Sequence, residues 1–248
     1  MFLPANYDIL FLVRNITREA SFKLYCFSPP VMLATLLIEF LGAMYVWWRY
    51  KFNQITRLII SLLLCLGVFQ LAEFFICTKE SSANFFWARI GHVAITLLPP
   101  LGLQLIFSLA HKKGWWLWLL YALPVAFSGY FLFIDEAITS EVCLGNYVIF
   151  TSKPHALPYW GAYYYSFLLS ALVLSGYWRR HCRFKRCSQA FYWISIAYLA
   201  FLLPTTTINL LAPETLAGIP SIMCGFAVLM ALILLGKITP LVGKQRKW

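Results

Sequence analysis

The chain has 248 residues, of which 61% are hydrophobic and only 12% are charged, and its mean hydropathy is +0.74. This composition excludes an ordinary soluble domain, in which roughly a quarter of the residues are charged. The formal net charge of +11 would suggest nucleic acid in a soluble protein. Here the placement of the basic residues in loops explains the charge, so we expect membrane lipids as partners and no nucleic acid.

Seven hydrophobic stretches are long enough to cross a bilayer as helices, which takes about 20 residues. In chain order they cover residues 31–50, 58–77, 90–111, 115–134, 159–178, 189–211 and 219–237. Prolines inside the third, fourth and sixth stretches predict kinks there. We predict an all-α integral membrane protein with an N-terminal segment 1–30, a seven-helix bundle 31–237 and a basic tail 238–248.

The loops between these stretches fall into two sets when they are assigned alternately to the two sides of a membrane. One set has no Asp or Glu. Its basic residues are Arg49, Lys51, Arg57, Lys112, Lys113, Arg179, Arg180, Arg183, Lys185, Arg186, Lys237, Lys244, Arg246 and Lys247. Because Lys and Arg are retained on the cytoplasmic side, we predict that the N-terminus is outside and the C-terminus cytoplasmic, in a bacterial inner membrane.

The loop from 135 to 158 contains a strand-like run. The run Tyr147-Val148-Ile149-Phe150 predicts a small hairpin or lid on the outer side.

Cys182 and Cys187 lie in a cytoplasmic loop and are expected to be reduced. Cys26, Cys77 and Cys143 lie on the outer side, where one disulfide can form, and Cys77–Cys143 is the preferred pair.

Several kinds of chemistry find no support in the sequence. The cysteines and histidines lack the spacing of metal ligands, and the histidines are not at matching depths for a haem. The seventh stretch has no internal lysine for a retinal Schiff base, and no nucleophile or phosphate-loop motif occurs. Only residues 238–248 follow that stretch, so we expect no attached catalytic domain. We predict no metal, no cofactor and no catalytic residue.

Polar side chains form a band in the outer half of the predicted bundle. We predict that they bind a ligand, and the candidates are Glu39, Gln70, Glu73, Arg89, His92, Thr96 and Asn209. Tyr163–Tyr165 and Thr205–Thr207 lie at similar depth. Intramembrane carboxylates are expensive and usually face the bundle interior with a partner. The alternative is structural: the threonines can satisfy carbonyls freed by Pro204, and Glu73 and Arg89 can reach water at the interface.

Electrostatics predicts how this band is arranged. Glu39 and Glu73 cannot both remain isolated anions below the headgroups. We therefore expect both to point into the bundle, with at least one within hydrogen-bonding distance of Arg89 or His92. As a planar fork of donors, Arg89 is also the expected clamp for an anionic ligand group.

Two groups of residues resemble the N-terminal seven-helix sensor region of bacterial membrane histidine kinases. They are Glu73, Trp87-Ala88-Arg89, Pro99-Pro100 and Phe107, then Gly145, Leu203-Pro204, Asn209 and Ile219-Pro220. The resemblance covers roughly residues 31–236. It implies a bundle that senses a signal and passes it to an output domain such as a kinase or cyclase. Because only Lys237–Trp248 follow, we expect no output domain, in departure from that pattern, and therefore a module acting on a separate partner.

Three functions remain open at this point. The first is a non-enzymatic sensor or accessory protein with a pocket for a small or lipidic ligand. The second is a membrane enzyme acting on a lipid or isoprenoid, with Glu39, Glu73 and His92 as acid–base groups. The third is a structural subunit of a membrane complex, which would copurify with a stoichiometric membrane partner.

Overall fold

The structure, a computed structural model, describes residues 29–78, 85–112, 114–135, 137–144, 147–152, 156–211 and 218–243. Each of the predicted hydrophobic stretches is helical. The helices are α1 (Pro29–Arg49), α2 (Gln54–Thr78), α3 (Phe86–Leu109), α4 (Ala122–Phe133), α5 (Ala156–His181), α6 (Lys185–Leu211) and α7 (Ile219–Ile233). A 3-10 helix, Trp115–Tyr121, precedes α4. After α7 the chain continues through a π-helical segment, Leu234–Ile238, into α8 (Thr239–Val242).

In the described chain, 5 helices are long and apolar enough to cross a membrane. They are Pro30–Arg49, Gln54–Thr78, Phe86–Leu109, Lys185–Leu211 and Ile219–Val242. Large apolar side chains on their surfaces are exposed, for example Leu41 and Met44 on α1, as expected where lipid replaces water. The chain is therefore an integral membrane protein. The last helical segment runs to Val242, beyond the predicted end at residue 237.

A β-hairpin departs from the otherwise all-α architecture and confirms the hairpin predicted for the loop after α4. Strand β1 (Ile138–Leu144) pairs antiparallel with β2 (Tyr147–Ser152), and Val142 lies opposite Ile149. The hairpin contacts α2, α3 and α7. Ile138 and Val148 are fully buried, so the hairpin closes one end of the bundle, which we call the hairpin end.

Close packing of α1, α2 and α3 positions the polar residues at this end. Gly67 on α2 faces Phe40 on α1 so closely that a Cβ atom there would lie 2.8 Å from the Phe40 ring. A Cβ at Gly91 on α3 would come within 3.3 Å of the Ala72 Cβ. Small residues at helix contacts allow such close approach in membranes.

The opposite end of the bundle gathers the described basic loops, and we call it the basic end. Lys112 lies over the Trp178 ring, Lys237 over Trp193 and Arg179 over Tyr192, at 5.3, 5.1 and 4.6 Å from the ring centroids. These contacts join the ends of α3 and α5, of α5 and α6, and of α6 and the π-helical segment that follows α7. The described basic residues of the acid-free loops thus lie together, as the charge pattern predicts.

Local hydrogen bonds define where helices begin and end here. The Thr56 N–H donates to Asn53 Oδ1 at 3.0 Å, and the Asn53 N–H donates to Thr56 Oγ1 at 2.8 Å. This reciprocal arrangement starts α2. The chain leaves α3 through His111, whose φ is 55°. Its N–H donates to Ser108 O and the next N–H, of Lys112, to Phe107 O, which is a Schellman motif with histidine where glycine is usual.

Cys182 and Cys187 form a disulfide, so the prediction that both are reduced is wrong. The connection from α5 to α6 is a short bend, which brings the two Cα atoms to 5.8 Å, within the range that a disulfide spans. The cytoplasmic compartment favours reduced thiols, but it does not reveal that the turn brings Cys182 and Cys187 together. Cys77 is also disulfide-bonded. Its partner lies outside the described side chains, so the preferred pairing with Cys143 stays a prediction.

Candidate functional site

Two carboxyl groups meet inside the bundle at the hairpin end. Glu39 on α1 is 0% exposed and Glu73 on α2 is 2% exposed, which confirms that both point inward. They are close enough to interact electrostatically. Both Glu39 oxygens and Glu73 Oε1 have no hydrogen-bond partner within the described part of the chain. A buried polar atom without a partner destabilises a fold by about 1–3 kcal/mol.

Ser221 connects this carboxylate pair to the hairpin. Its hydroxyl is hydrogen-bonded to Glu73, and its Oγ accepts from the Val148 N–H at 3.1 Å. Ser221 is completely buried in the first turn of α7, and Cys224, one turn further, interacts electrostatically with both glutamates. We call Glu39, Glu73, Ser221 and Cys224 the carboxylate site.

The sequence analysis missed Ser221. A serine directly after Ile219-Pro220 suits the first turn of a helix, and that is the only signal it carries. Its neighbour from the hairpin is a backbone N–H, which no side-chain pattern reveals. The carboxylate site therefore includes a link from the hairpin to α7 that only the three-dimensional arrangement discloses.

Arg89 does not join the carboxylates, so the predicted pairing with Glu39 or Glu73 through Arg89 is wrong. Its Nη1 donates to Leu132 O at 3.1 Å, and its Nη2 donates to Asp135 O at 3.2 Å and to Asp135 Oδ1 at 3.1 Å. Arg89 lies in the first turn of α3, close to the end of α4, so these carbonyls and the Asp135 carboxylate engage its two terminal nitrogens, while its buried Nε has no partner among the described residues. The expected role of Arg89 as a clamp for an anionic ligand group stays a prediction.

His92 and Thr96 belong to a second cluster, which joins α3 to α5. His92 Nδ1 lies 3.1 Å from Ala88 O, and its ring packs against Phe131 and Trp160. Thr96 Oγ1 donates to His92 O at 2.6 Å and accepts from Trp160 Nε1 at 2.9 Å. The Tyr163 hydroxyl donates to Thr96 O at 2.6 Å. This arrangement matches the structural interpretation of the polar band.

The remaining candidates are divided between α2 and α6. Gln70 is buried one turn before Glu73, while Asn209 is half-buried near the end of α6. The hydroxyls of Thr205, Thr206 and Thr207 donate to the carbonyls of Phe201, Leu202 and Leu203. The threonines are thus satisfied within their own helix. Of the predicted ligand-binding residues, the structure brings Glu39 and Glu73 together. Gln70 lies on α2, the helix that carries Glu73.

One small cavity adjoins the carboxylate site. A cavity of about 20 Å³ lies beside Cys224, with Tyr164, Tyr198 and Met223 among its walls. That volume holds about one water molecule, so an organic ligand does not fit this cavity as it stands. Within the described residues, no group of three or more His, Cys, Asp or Glu side chains could hold a metal ion.

The resemblance to kinase sensor regions stays a prediction. No protein-family model matches this chain, and no curated protein sequence matches it.

Proposed function

We propose that the chain is a membrane sensor, non-enzymatic itself, that binds a small or lipidic ligand at the carboxylate site and acts on a separate partner protein. One observation supports this most directly: three buried carboxylate oxygens, two of Glu39 and one of Glu73, lack a partner among the described residues. Ionisable groups that face the interior of a membrane bundle are costly, and where they occur they commonly serve binding or proton transfer.

The ligand's chemistry follows from what the site lacks. In their ionised form the two carboxylates only accept hydrogen bonds, and Arg89 is engaged by Leu132 and Asp135. A ligand that completes the site must therefore supply hydrogen-bond donors or positive charge, as a protonated amine does. This replaces the anionic ligand group that the sequence suggested.

Signal transfer is proposed to run through α7. The hairpin and Glu73 both bind Ser221 at the start of this helix, and the helical segment continues to Val242 at the basic end. A ligand that separated the carboxylates from Ser221 would alter the hairpin and the helix together. Such a shared element, with two arrangements, is what a switch requires.

The enzyme hypothesis is less well supported by the site. It needs His92 beside the carboxylates as an acid–base partner. Known contacts of His92 include the Ala88 carbonyl and the rings of Phe131 and Trp160, and neither oxygen of Glu39 has a partner among the described residues. No described contact specifically favours the structural-subunit hypothesis.

Binding of a simple amine tests the proposal. Butylammonium chloride should raise the unfolding temperature of the detergent-purified protein, while sodium butyrate should not. Glu39→Gln and Glu73→Gln should weaken the apparent affinity on the order of 100-fold, because a buried charge pair is worth about 2–5 kcal/mol. Asp135→Asn is the matched control, since this acid is 94% exposed and lies outside the site. An identical response in all four proteins would refute the amine site.

The proposed topology has seven spans, with the hairpin end outside and the basic end in the bacterial cytoplasm. Its support is the clustering of the described basic loops at one end and the positive-inside rule. In a protein whose native cysteines are replaced by serine, a membrane-impermeant maleimide added to intact cells should label Asp135→Cys and not Arg183→Cys. Both positions are exposed. Labelling at position 183 and not at position 135 would show that the orientation is the opposite of the proposed one.

A further inference from the structure

A cavity of about 510 Å³ opens at the basic end of the bundle. Its walls come from four parts of the chain: the start of α2, the end of α3, the start of α6 and α8. Apolar side chains form most of its lining, among them Leu109, Phe191 and Leu241. The carboxylate site lies at the opposite end and shares none of these residues.

The lining also contains basic side chains. His111, Lys185 and Arg186 line the cavity together with the apolar residues, and no Asp or Glu of the described residues does so. Both Lys185 and Arg186 are exposed. The cavity therefore combines an apolar interior with basic groups that are open to a partner.

Nothing in the described part of the chain neutralises these cations. Its acidic residues are Glu39, Glu73, Asp135 and Glu141. The first two are buried in the carboxylate site, Asp135 pairs with Arg89, and Glu141 belongs to the hairpin. Among the described residues, no acidic side chain is therefore available to Lys185 and Arg186, which leaves them able to bind an anion from another molecule.

We infer that this cavity is a binding site for an anionic phospholipid, with the phosphate at Lys185 and Arg186 and an acyl chain along the apolar lining. The volume is that of a small-molecule pocket, roughly 300–1,000 Å³. Basic pockets between membrane helices bind anionic lipid headgroups, and the lipid bilayer adjoins the exposed apolar helix surfaces.

Lipid binding to delipidated protein, measured by native mass spectrometry, tests the assignment. Phosphatidylglycerol should bind more tightly than phosphatidylcholine with the same acyl chains. Lys185→Gln/Arg186→Gln should reduce phosphatidylglycerol binding about 30-fold, the loss expected for two basic groups near a membrane surface. Leu241→Trp, which narrows the cavity and keeps its charge, should weaken both lipids.

The control removes two other cations from the same end. Lys51 and Arg57 are exposed and do not line the cavity, so Lys51→Gln/Arg57→Gln should bind phosphatidylglycerol as wild type does. If this control lost as much phosphatidylglycerol binding, the effect would come from general surface charge, and the proposed site would be wrong. Displacement of phosphatidylglycerol by an equal concentration of glycerol phosphate would indicate a phosphate site without a lipid chain. Displacement by an acidic peptide would indicate a protein-docking surface, and either result contradicts the proposal.

Discussion

Replacing Glu39 with methionine is expected to stabilise the protein by about 1–3 kcal/mol and to abolish butylammonium binding. Glu39 is 0% exposed and neither of its oxygens has a partner among the described residues. Removing an uncompensated polar group from an apolar interior relieves its desolvation cost. Methionine is flexible and close to glutamate in size, so it should fill the same space.

The measurement is the unfolding free energy from SDS titration in mixed micelles. Thr96→Val is the contrasting variant, because Thr96 accepts from Trp160 Nε1 and its loss leaves that N–H stranded. We expect Thr96→Val to destabilise by about 1 kcal/mol. If Glu39→Met lowers the unfolding free energy as Thr96→Val does, Glu39 has a structural role, and this result contradicts a ligand-binding role for the carboxylate site.

Replacing Arg89 with alanine is expected to cost about 2–4 kcal/mol, because the guanidinium makes three hydrogen bonds from a charged donor. Two of them go to backbone carbonyls, of Leu132 and Asp135. They fasten the start of α3 to the end of α4, immediately before the hairpin. Without Arg89, this connection and the closure of the hairpin end should weaken together.

Asp135→Asn separates the backbone contacts from the ion pair. The Asp135 side chain is 94% exposed, so solvent screens the pair and the substitution should cost less than about 1 kcal/mol. SDS titration and proteolysis of the hairpin report the two effects. An Asp135→Asn variant as unstable as Arg89→Ala would show that the ion pair, not the backbone contacts, holds this corner.

The helices and the hairpin could be predicted because their signals are local. Length and apolarity locate a membrane helix, and the run Tyr147–Phe150 indicates a strand whatever surrounds it. The inward direction of Glu39 and Glu73 was also predictable, since a carboxylate facing lipid is too costly. These features depend on the residue and its immediate chain, so a single sequence is sufficient.

The partners of the site residues could not be predicted in this way. Hydropathy orders helices along the chain but does not say which helix ends approach each other. Arg89 therefore seemed available to Glu73, whereas α4 brings Leu132 and Asp135 to it. The same limit hid Ser221 and the disulfide between Cys182 and Cys187, which depend on distances across turns and between elements.

The π-helical segment Leu234–Ile238 has a mechanical consequence. A π turn holds about one residue more than an α turn, so the helix beyond it is rotated by about 100° relative to an uninterrupted α-helix. Leu241 and Val242 line the cavity at the basic end because of this rotation. A change at Ser221 that absorbed the extra residue would turn that face away from the cavity, with only about 1.5 Å of movement along the axis.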